Sequence, residues 1–500
     1  MARQKRFTKK EWSWIMYDWA NSIYATNICA AIYPSIFATI VSGGDIKWGY
    51  ATSAATLIVA ILAPFLGALA DYKGMKKKLF TVFTLIGSLM TPIMAFTAHW
   101  KLCLVGYVFS RIGFAGSCLF YDSFLTDVTT DERMDKVSSW GYAMGYIGGS
   151  TIPFVISIAI LLIFDYSPFA QAFSVVITSV WWLVFSIPML KNVHHEHYIE
   201  KPEKFNASTI IKGVGKTFKD ICGCAGLLIF VLAYFFYIDG VDTIINISTA
   251  YGATLGLGTT GMILALLVTQ IVAVPCSIYF AKIADKFSAR KALIGAVTIY
   301  LIICLLGFYM GFSMEPSQDA YEKVFDEAYA TVEVAPELKD SADGLLADIK
   351  SAWKTDDPAA ELGETDEALI PVKDALFAAA EANADKVTAF RDAISFSSIL
   401  FWIMATMVGT VQGGIQAVSR SYFGKLIPKE RSNEFYGFFD IFGKFASFLG
   451  PVIYSTCAAI TGRSSIGVLG LAALFLAGLL LLLFGKKAFA DLEKTAVNKI

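Results

Sequence analysis

Asp18 and Asn21 stand three residues apart in an apolar run, and Asp239 and Asp242 repeat that spacing in the second half of the chain. Residues three apart share a helical face, so each pair could hold a cation or a proton. A charge at the centre of a bilayer costs about 2.5 to 3.5 kcal/mol on insertion scales, which makes such residues functional candidates by default. Interhelical packing is the alternative, as is simple exposure to water for Asp239 and Asp242 near the outer end of their run. Arg111 falls about 15 Å into its run at 1.5 Å per residue, near the midplane. There a guanidinium can clamp a carboxylate through two parallel hydrogen bonds, and either a substrate carboxylate or a structural aspartate has the right chemistry. Asp440 and Lys444, at i and i+4, are expected to neutralise each other, with Lys444 able to release into a cavity. Tyr17, Trp19, Tyr24, Tyr33, Phe235, Tyr237 and Tyr436 offer ring faces for an ammonium group, or belts at the lipid interface. Gln412 and Gln416 are neutral candidates. The expected solute contacts are therefore Tyr17, Trp19, Asn21, Tyr24, Arg111, Tyr237, Gln412, Gln416 and Lys444, and the expected ion-coupling residues are Asp18, Asp239 and Asp242.

Such residues need membrane-spanning helices to position them, and the composition supplies them. The 500 residues are 56% hydrophobic and 17% charged, with a mean hydropathy of +0.58. A water-soluble chain is excluded. A span needs about 20 apolar residues, and apolar windows fall near 12–41, 49–70, 79–98, 102–126, 137–163 and 169–190, then near 222–250, 257–283, 292–313, 393–423, 434–460 and 464–485. An all-α polytopic membrane protein of twelve helices follows. With residues at span ends counted with their adjoining loops, 29 of the 41 basic residues lie on the N-terminal side and 10 on the other. The positive-inside rule puts both termini in the cytoplasm. The basic start lacks a cleavage site and runs on into an overlong apolar stretch, so no cleaved signal is expected. The 41 basic and 42 acidic residues cancel, which gives no reason to expect a nucleic-acid partner.

The chain repeats itself. Gly67-Ala-Leu-Ala-Asp71-Tyr-Lys-Gly74-Met-Lys76-Lys77 recurs around Asp285, and Asp122 to Arg133 aligns with Arg420 to Arg431. The second match is displaced further along the chain than the first, so a segment entered between the ninth and tenth spans. Residues 314–392 occupy that interval, with 20 acids against 7 bases and loose helical spacing at Tyr321, Val324, Phe325 and Ala328. An extracytoplasmic helical cap is expected there. The expected organisation is an N-terminal six-helix bundle (1–190), a central cytoplasmic loop (191–221), helices 7 to 9 (222–313), the acidic insertion (314–392), and helices 10 to 12 with the tail (393–500). Two such halves are related by a pseudo-twofold axis along the membrane normal.

The loop at 67–78 resembles the signature G-x-x-x-D-x-x-G-x-K/R-K/R of the major facilitator superfamily. Gly67 lets helices approach closely, Asp71 can accept hydrogen bonds from a neighbouring helix N-terminus, and Gly74 and Lys76 shape and anchor the turn. With Asp285, these residues are expected to latch one conformation. Asp122 and Asp127 oppose Arg420 and Lys425 at repeat-equivalent positions, which predicts a gate between the halves. Gly141, Gly145, Gly148, Gly149 and Pro153 resemble a motif associated with antiporters, although small residues at this spacing chiefly allow close packing. A narrower resemblance rests on Tyr17-Asp18-Trp19-Ala20-Asn21-Ser22, on Tyr237-Ile-Asp239-Gly240-Val241-Asp242-Thr243, on Gly413-Gly414-Ile-Gln416-Ala-Val-Ser419-Arg420-Ser421 and on Gly443-Lys444 through Gly450-Pro451. These look like the autophagy-related vacuolar amino-acid effluxer family and its bacterial relatives, a pattern from which the acidic insertion departs.

The resemblance implies the major facilitator fold and secondary transport of an amino acid or related zwitterion by alternating access, in a bacterial inner membrane. A proton on Asp18 or Asp239 would couple uptake to the gradient, whereas facilitated efflux needs no titrating group, and the residues do not choose. The expected partners are a small-molecule substrate, the lipid bilayer and H+ as coupling ion, in a monomer. A receptor or scaffold whose cap binds a ligand is the reading from another class. No enzyme activity, cofactor or metal is expected: His194-His195-Glu196-His197 reads as a solvated loop, the eight cysteines suggest no disulfide framework, and there is no G-x-x-x-x-G-K-[ST] phosphate loop.

Overall fold

The computed structural model describes residues 6–30, 32–41, 44–96, 99–149, 151–201, 207–355, 358–362 and 365–497. Among these, eleven helices are long and apolar enough to cross a membrane. They match the expected windows from 49–70 onward. The run expected as the first span is built differently: an α-helix Lys9–Ile23, a π-helical stretch Tyr24–Ala30 and a helix Ile32–Ile40. Its start is fixed by a capping box, in which Thr8 Oγ1 accepts from the Glu11 N–H (3.1 Å) and Glu11 Oε2 accepts from the Thr8 N–H (2.7 Å).

Two helices overrun their apolar windows. Ala289–Ala330 is a continuous 42-residue helix and Ala384–Leu426 one of 43 residues, so polar sequence beyond 313 and before 393 continues the helix instead of ending it. Hydropathy marks where the apolar surface stops; just past that point on the first of these helices Glu315 is buried and satisfied, accepting from the Ser465 N–H (2.9 Å) and hydroxyl (2.7 Å). The 314–392 segment is helical, with Lys339–Ala352 and Ile370–Ala382 between the two long helices. It packs on its own apolar side chains: Tyr321, Phe325, Ile349, Leu376 and Phe390 are buried, and the rings of Tyr321 and Phe390 lie 4.6 Å apart.

At the end of the bundle where residues 71–74 and 193–200 turn, the loop expected to be solvated is docked. The His197 and Glu196 N–H groups donate to Asp127 Oδ1 (2.9 and 3.2 Å), the His197 ring lies 3.0 Å from the same oxygen, and Ile199 bridges to residues 71–73 through backbone hydrogen bonds. Burial, and after it the nearby Lys76 ammonium, push the His195 imidazole down to about 4. A basic group held below its ordinary value contributes stability above that value and loses it as pH falls toward the folded one. Docking of residues 193–200 should therefore weaken as pH falls from 6.5 towards 4, by about twentyfold at pH 5 relative to pH 7. Hydrogen exchange of this loop at pH 7 and pH 5 checks it; His195→Gln should flatten the difference.

Candidate functional site

A cavity of about 1010 Å³ lies between the N-terminal and C-terminal membrane helices. Helical periodicity builds its walls. Arg111, Ala115, Cys118 and Asp122 follow one face of the Trp100–Ser123 helix, and Tyr234, Ile238, Asp242 and Asn246 one face of Ala225–Thr254. Gln416 and Arg420, at i and i+4, come from Ala384–Leu426, and Asp440 and Gly443 from Ser432–Thr461. Arg111 donates to Cys29 Sγ (2.6 Å) and is paired with no carboxylate among the described residues. The cavity thus carries Arg111 and Asp122 on its N-terminal wall and Asp242, Asp440 and Arg420 on its C-terminal wall, with Asp122 and Arg420 paired to each other.

Arg420 closes one end. Its Nη1 donates to Asp122 Oδ1 (2.9 Å), its Nε to Ser138 Oγ (3.0 Å), and its Nη2 to the Ser138 carbonyl (3.1 Å) and Asp18 Oδ2 (3.4 Å). Trp14, Tyr121 and Tyr142 surround the guanidinium, 4.7, 5.3 and 4.5 Å from ring centre to Cζ. An arginine from the C-terminal helices thus fills an aromatic and acidic socket of the N-terminal helices. Asp135 joins the same seam, accepting from Ser421 (2.6 Å) and Lys425 (2.6 Å), and Lys429 meets Asp131 at 3.2 Å.

The 67–78 loop forms the second tie. Asp71 Oδ1 accepts from the Asn433 N–H (2.9 Å) and Nδ2 (2.7 Å), and Oδ2 from the Glu434 N–H (3.0 Å). The carboxylate caps the positive end of the Ser432–Thr461 helix. A Cβ at Gly67 would sit 2.4 Å from the Asn433 carbonyl oxygen, so only glycine lets these backbones meet. Gly74 turns the chain at φ +73° into the Met75–Met90 helix. Lys76, fully buried, donates to Asp127 Oδ2 (2.7 Å), the Ser123 carbonyl (3.1 Å) and Ser432 Oγ (3.2 Å). The repeat partner is not equivalent: Asp285 is exposed near the end of Thr259–Phe287.

Of the residues singled out from sequence, Arg111, Asp242, Asp440, Gln416, Asp122 and Arg420 come together around the cavity. Others do not line it. The Tyr17 hydroxyl lies 3.2 Å from Thr84 Oγ1 in a closed aromatic core, Trp19 stacks on Trp181, Tyr24 bonds Ser110 (2.7 Å) and Tyr237 bonds Ser419 (2.6 Å). Asn21 reaches the cavity indirectly, 3.6 Å from Cys118 Sγ. Asp18 sits behind the cavity, accepting from the Tyr121 hydroxyl (2.6 Å) and Arg420. Asp239 is buried against the Gly450 N–H (2.9 Å). Gln412 faces a separate small apolar cavity with Gln270. The Lys444 side chain lies outside the described residues. Sequence reasoning did not single out Tyr142, Tyr234 or Asn246. Asn246 was findable, standing one helical turn beyond Asp242.

Comparison with known proteins agrees with this architecture. A family model described as "Vacuole effluxer Atg22 like" matches residues 48–319 and 397–493. The Bacillus subtilis (strain 168) protein named "Uncharacterized MFS-type transporter YxiO" is 37% identical over 495 residues, 96% of this chain and 95% of that one. Autophagy-related protein 22 of Coccidioides immitis (strain RS) is 21% identical over 83% of this chain and 67% of its own. Among solved structures, the proton:xylose symporter XylE superposes with a TM-score of 0.57 at 12% identity, covering 96% of this chain and 94% of that one. The E. coli fucose:proton symporter FucP gives 0.56 at 10% identity, covering 95% and 97%. At these identities the two symporters speak to the fold alone. A polytopic helical bundle with a cavity between its halves, matched by the family model over most of its length, places the chain in the Atg22-like family of major facilitator superfamily transporters.

Proposed function

We propose that the protein carries a small zwitterion, an amino acid or a betaine, through the cavity by alternating access, with a proton as its companion. The observation that supports this reading is the opposition of charge across the cavity: Arg111 on one wall, Asp242 and Asp440 on the other. A zwitterion's carboxylate suits the guanidinium and its ammonium the carboxylates. The companion proton then rides on one of the acids held in the apolar runs, Asp18, Asp239 or Asp242. In this reading twelve spans cross a bacterial inner membrane with both termini in the cytoplasm, the 7-residue π-helical stretch Tyr24–Ala30 belongs to the first span, and the 314–392 segment lies outside as a cap on a monomer. The Arg420 and Asp71 ties then close the cytoplasmic end and are broken when the halves rock.

The test is uptake into proteoliposomes of labelled amino acids and betaines, with and without an imposed pH gradient. Accumulation of a panel member should collapse when the gradient is removed and fall at least tenfold in Asp242→Asn. Folded protein that moves no panel member would sink the zwitterion assignment and favour a receptor whose ligand binds the 314–392 segment.

A further inference from the structure

The helix Ala207–Gly223, which leads from the N-terminal to the C-terminal membrane helices, carries three unlike stripes. At 100° per residue, Ile211, Gly215, Phe218 and Cys222 fall within about 60° of one another. All four are exposed, Ile211 at 60% and Phe218 at 54%. About 100° around the axis, Lys212, Lys216 and Lys219 form a second exposed stripe. The remaining side is seated on the protein: Thr217 and Ile221 are buried, and Arg431 bonds both Thr217 and Asp220. Asp220 is the helix's one acid, and it pairs with Arg431, so no other acid of this helix offsets the lysine stripe. The Phe218 ring lies 6.2 Å from Phe438 of a membrane helix, and the chain passes from Gly223 directly into the Ala225–Thr254 membrane helix.

An exposed apolar stripe beside a basic one, on a helix held at the end of a membrane bundle, matches the headgroup layer of a bilayer rich in acidic lipid. We propose that Ala207–Gly223 is an interfacial helix that binds anionic phospholipid: Ile211 and Phe218 sink into the headgroup layer, and Lys212, Lys216 and Lys219 meet the lipid phosphates. The seat of the helix ties this to the latch. Arg431 also contacts Glu434 (3.2 Å), whose N–H is one of those capped by Asp71. The helix that would meet the lipid is thus seated beside residues that join the two halves.

The full-length protein in nanodiscs of phosphatidylcholine, either pure or mixed with a substantial minority of phosphatidylglycerol, tests this through hydrogen exchange of residues 207–223. Exchange should slow in the acidic nanodiscs by up to on the order of a hundredfold, about fivefold for each lysine near the surface, and most of that gain should vanish in high salt. K212Q/K216Q/K219Q, all at exposed positions, should exchange alike in both lipids, while Ile211→Ser with Phe218→Ser should lose protection in both. Wild-type exchange that ignores phosphatidylglycerol, or a triple variant that still responds to it, would overturn the proposal.

Discussion

Arg420→Ala is expected to destabilise the protein by about 3 to 5 kcal/mol, the usual cost of removing one partner from a buried ionic cluster. Deleting the guanidinium leaves Asp18 and Asp122 facing each other across a socket lined by Trp14, Tyr121 and Tyr142, with the Ser138 carbonyl and hydroxyl stripped of their donor. Protonation of one carboxylate relieves the repulsion without refilling the space. The unfolding midpoint in mild detergent should fall clearly, and Asp122→Ala introduced alongside should restore part of the loss, because the two changes share one cluster and are not additive. The tie also joins the halves, so the single variant should shift the population toward an opening of this end. Alkylation of Cys118, which lines the cavity, reports that shift. An Arg420→Ala protein as stable as the wild type would mean that the guanidinium's gains merely repay its own desolvation.

In the zwitterion reading, Arg111→Ala should reduce solute flux by between about tenfold and a hundredfold, the worth of a charge-assisted, bidentate carboxylate contact at about 1.5 to 3 kcal/mol, while leaving the fold intact. The expectation of an intact fold rests on a contrast with Arg420. Arg420 is consumed by Asp122, Asp18 and Ser138, whereas Arg111 donates to a thiol, that of Cys29, and no paired carboxylate is left behind when it is removed. Arg111→Lys keeps the charge but loses the planar fork, and should recover only part of the flux. Equal flux in all three proteins would remove Arg111 from the transport path.

Those two arginines show what can be read from a sequence of this kind. Arg111 and Asp242 are legible because a charge in an apolar run is rare, and the internal repeat alone sets Asp122 opposite Arg420. The Asp71 cap is legible because its glycine spacing needs a close neighbour. The aromatics are not: Tyr17, Tyr24 and Tyr237 pack into the core because a ring suits a cavity, a lipid face and a helix interface equally, and only the rotation of each helix against its neighbours decides. Local spacing pairs Asp18 with Asn21, yet its partners are Tyr121 and Arg420, both far along the chain. Asp285 repeats the Asp71 motif but is exposed, since a motif specifies a turn and not what packs against it. The apolar windows end at 313 and begin at 393 while the helices run on past both, because hydropathy measures surface and a helix outlasts its apolar coat.

The two long helices have a mechanical consequence. At 1.5 Å per residue, the 42 residues of Ala289–Ala330 extend about 63 Å, roughly twice the hydrocarbon thickness of a bilayer. Ala384–Leu426 runs beside it and, with Tyr321 against Phe390, stiffens it near its far end. If the pair moved as one body, a tilt of about ten degrees would carry a point some 30 Å from the pivot by about 5 Å, and Pro316, inside the first helix, is where that stiffness would give. Anything that gripped the acidic tip would then work against the halves through the same arm.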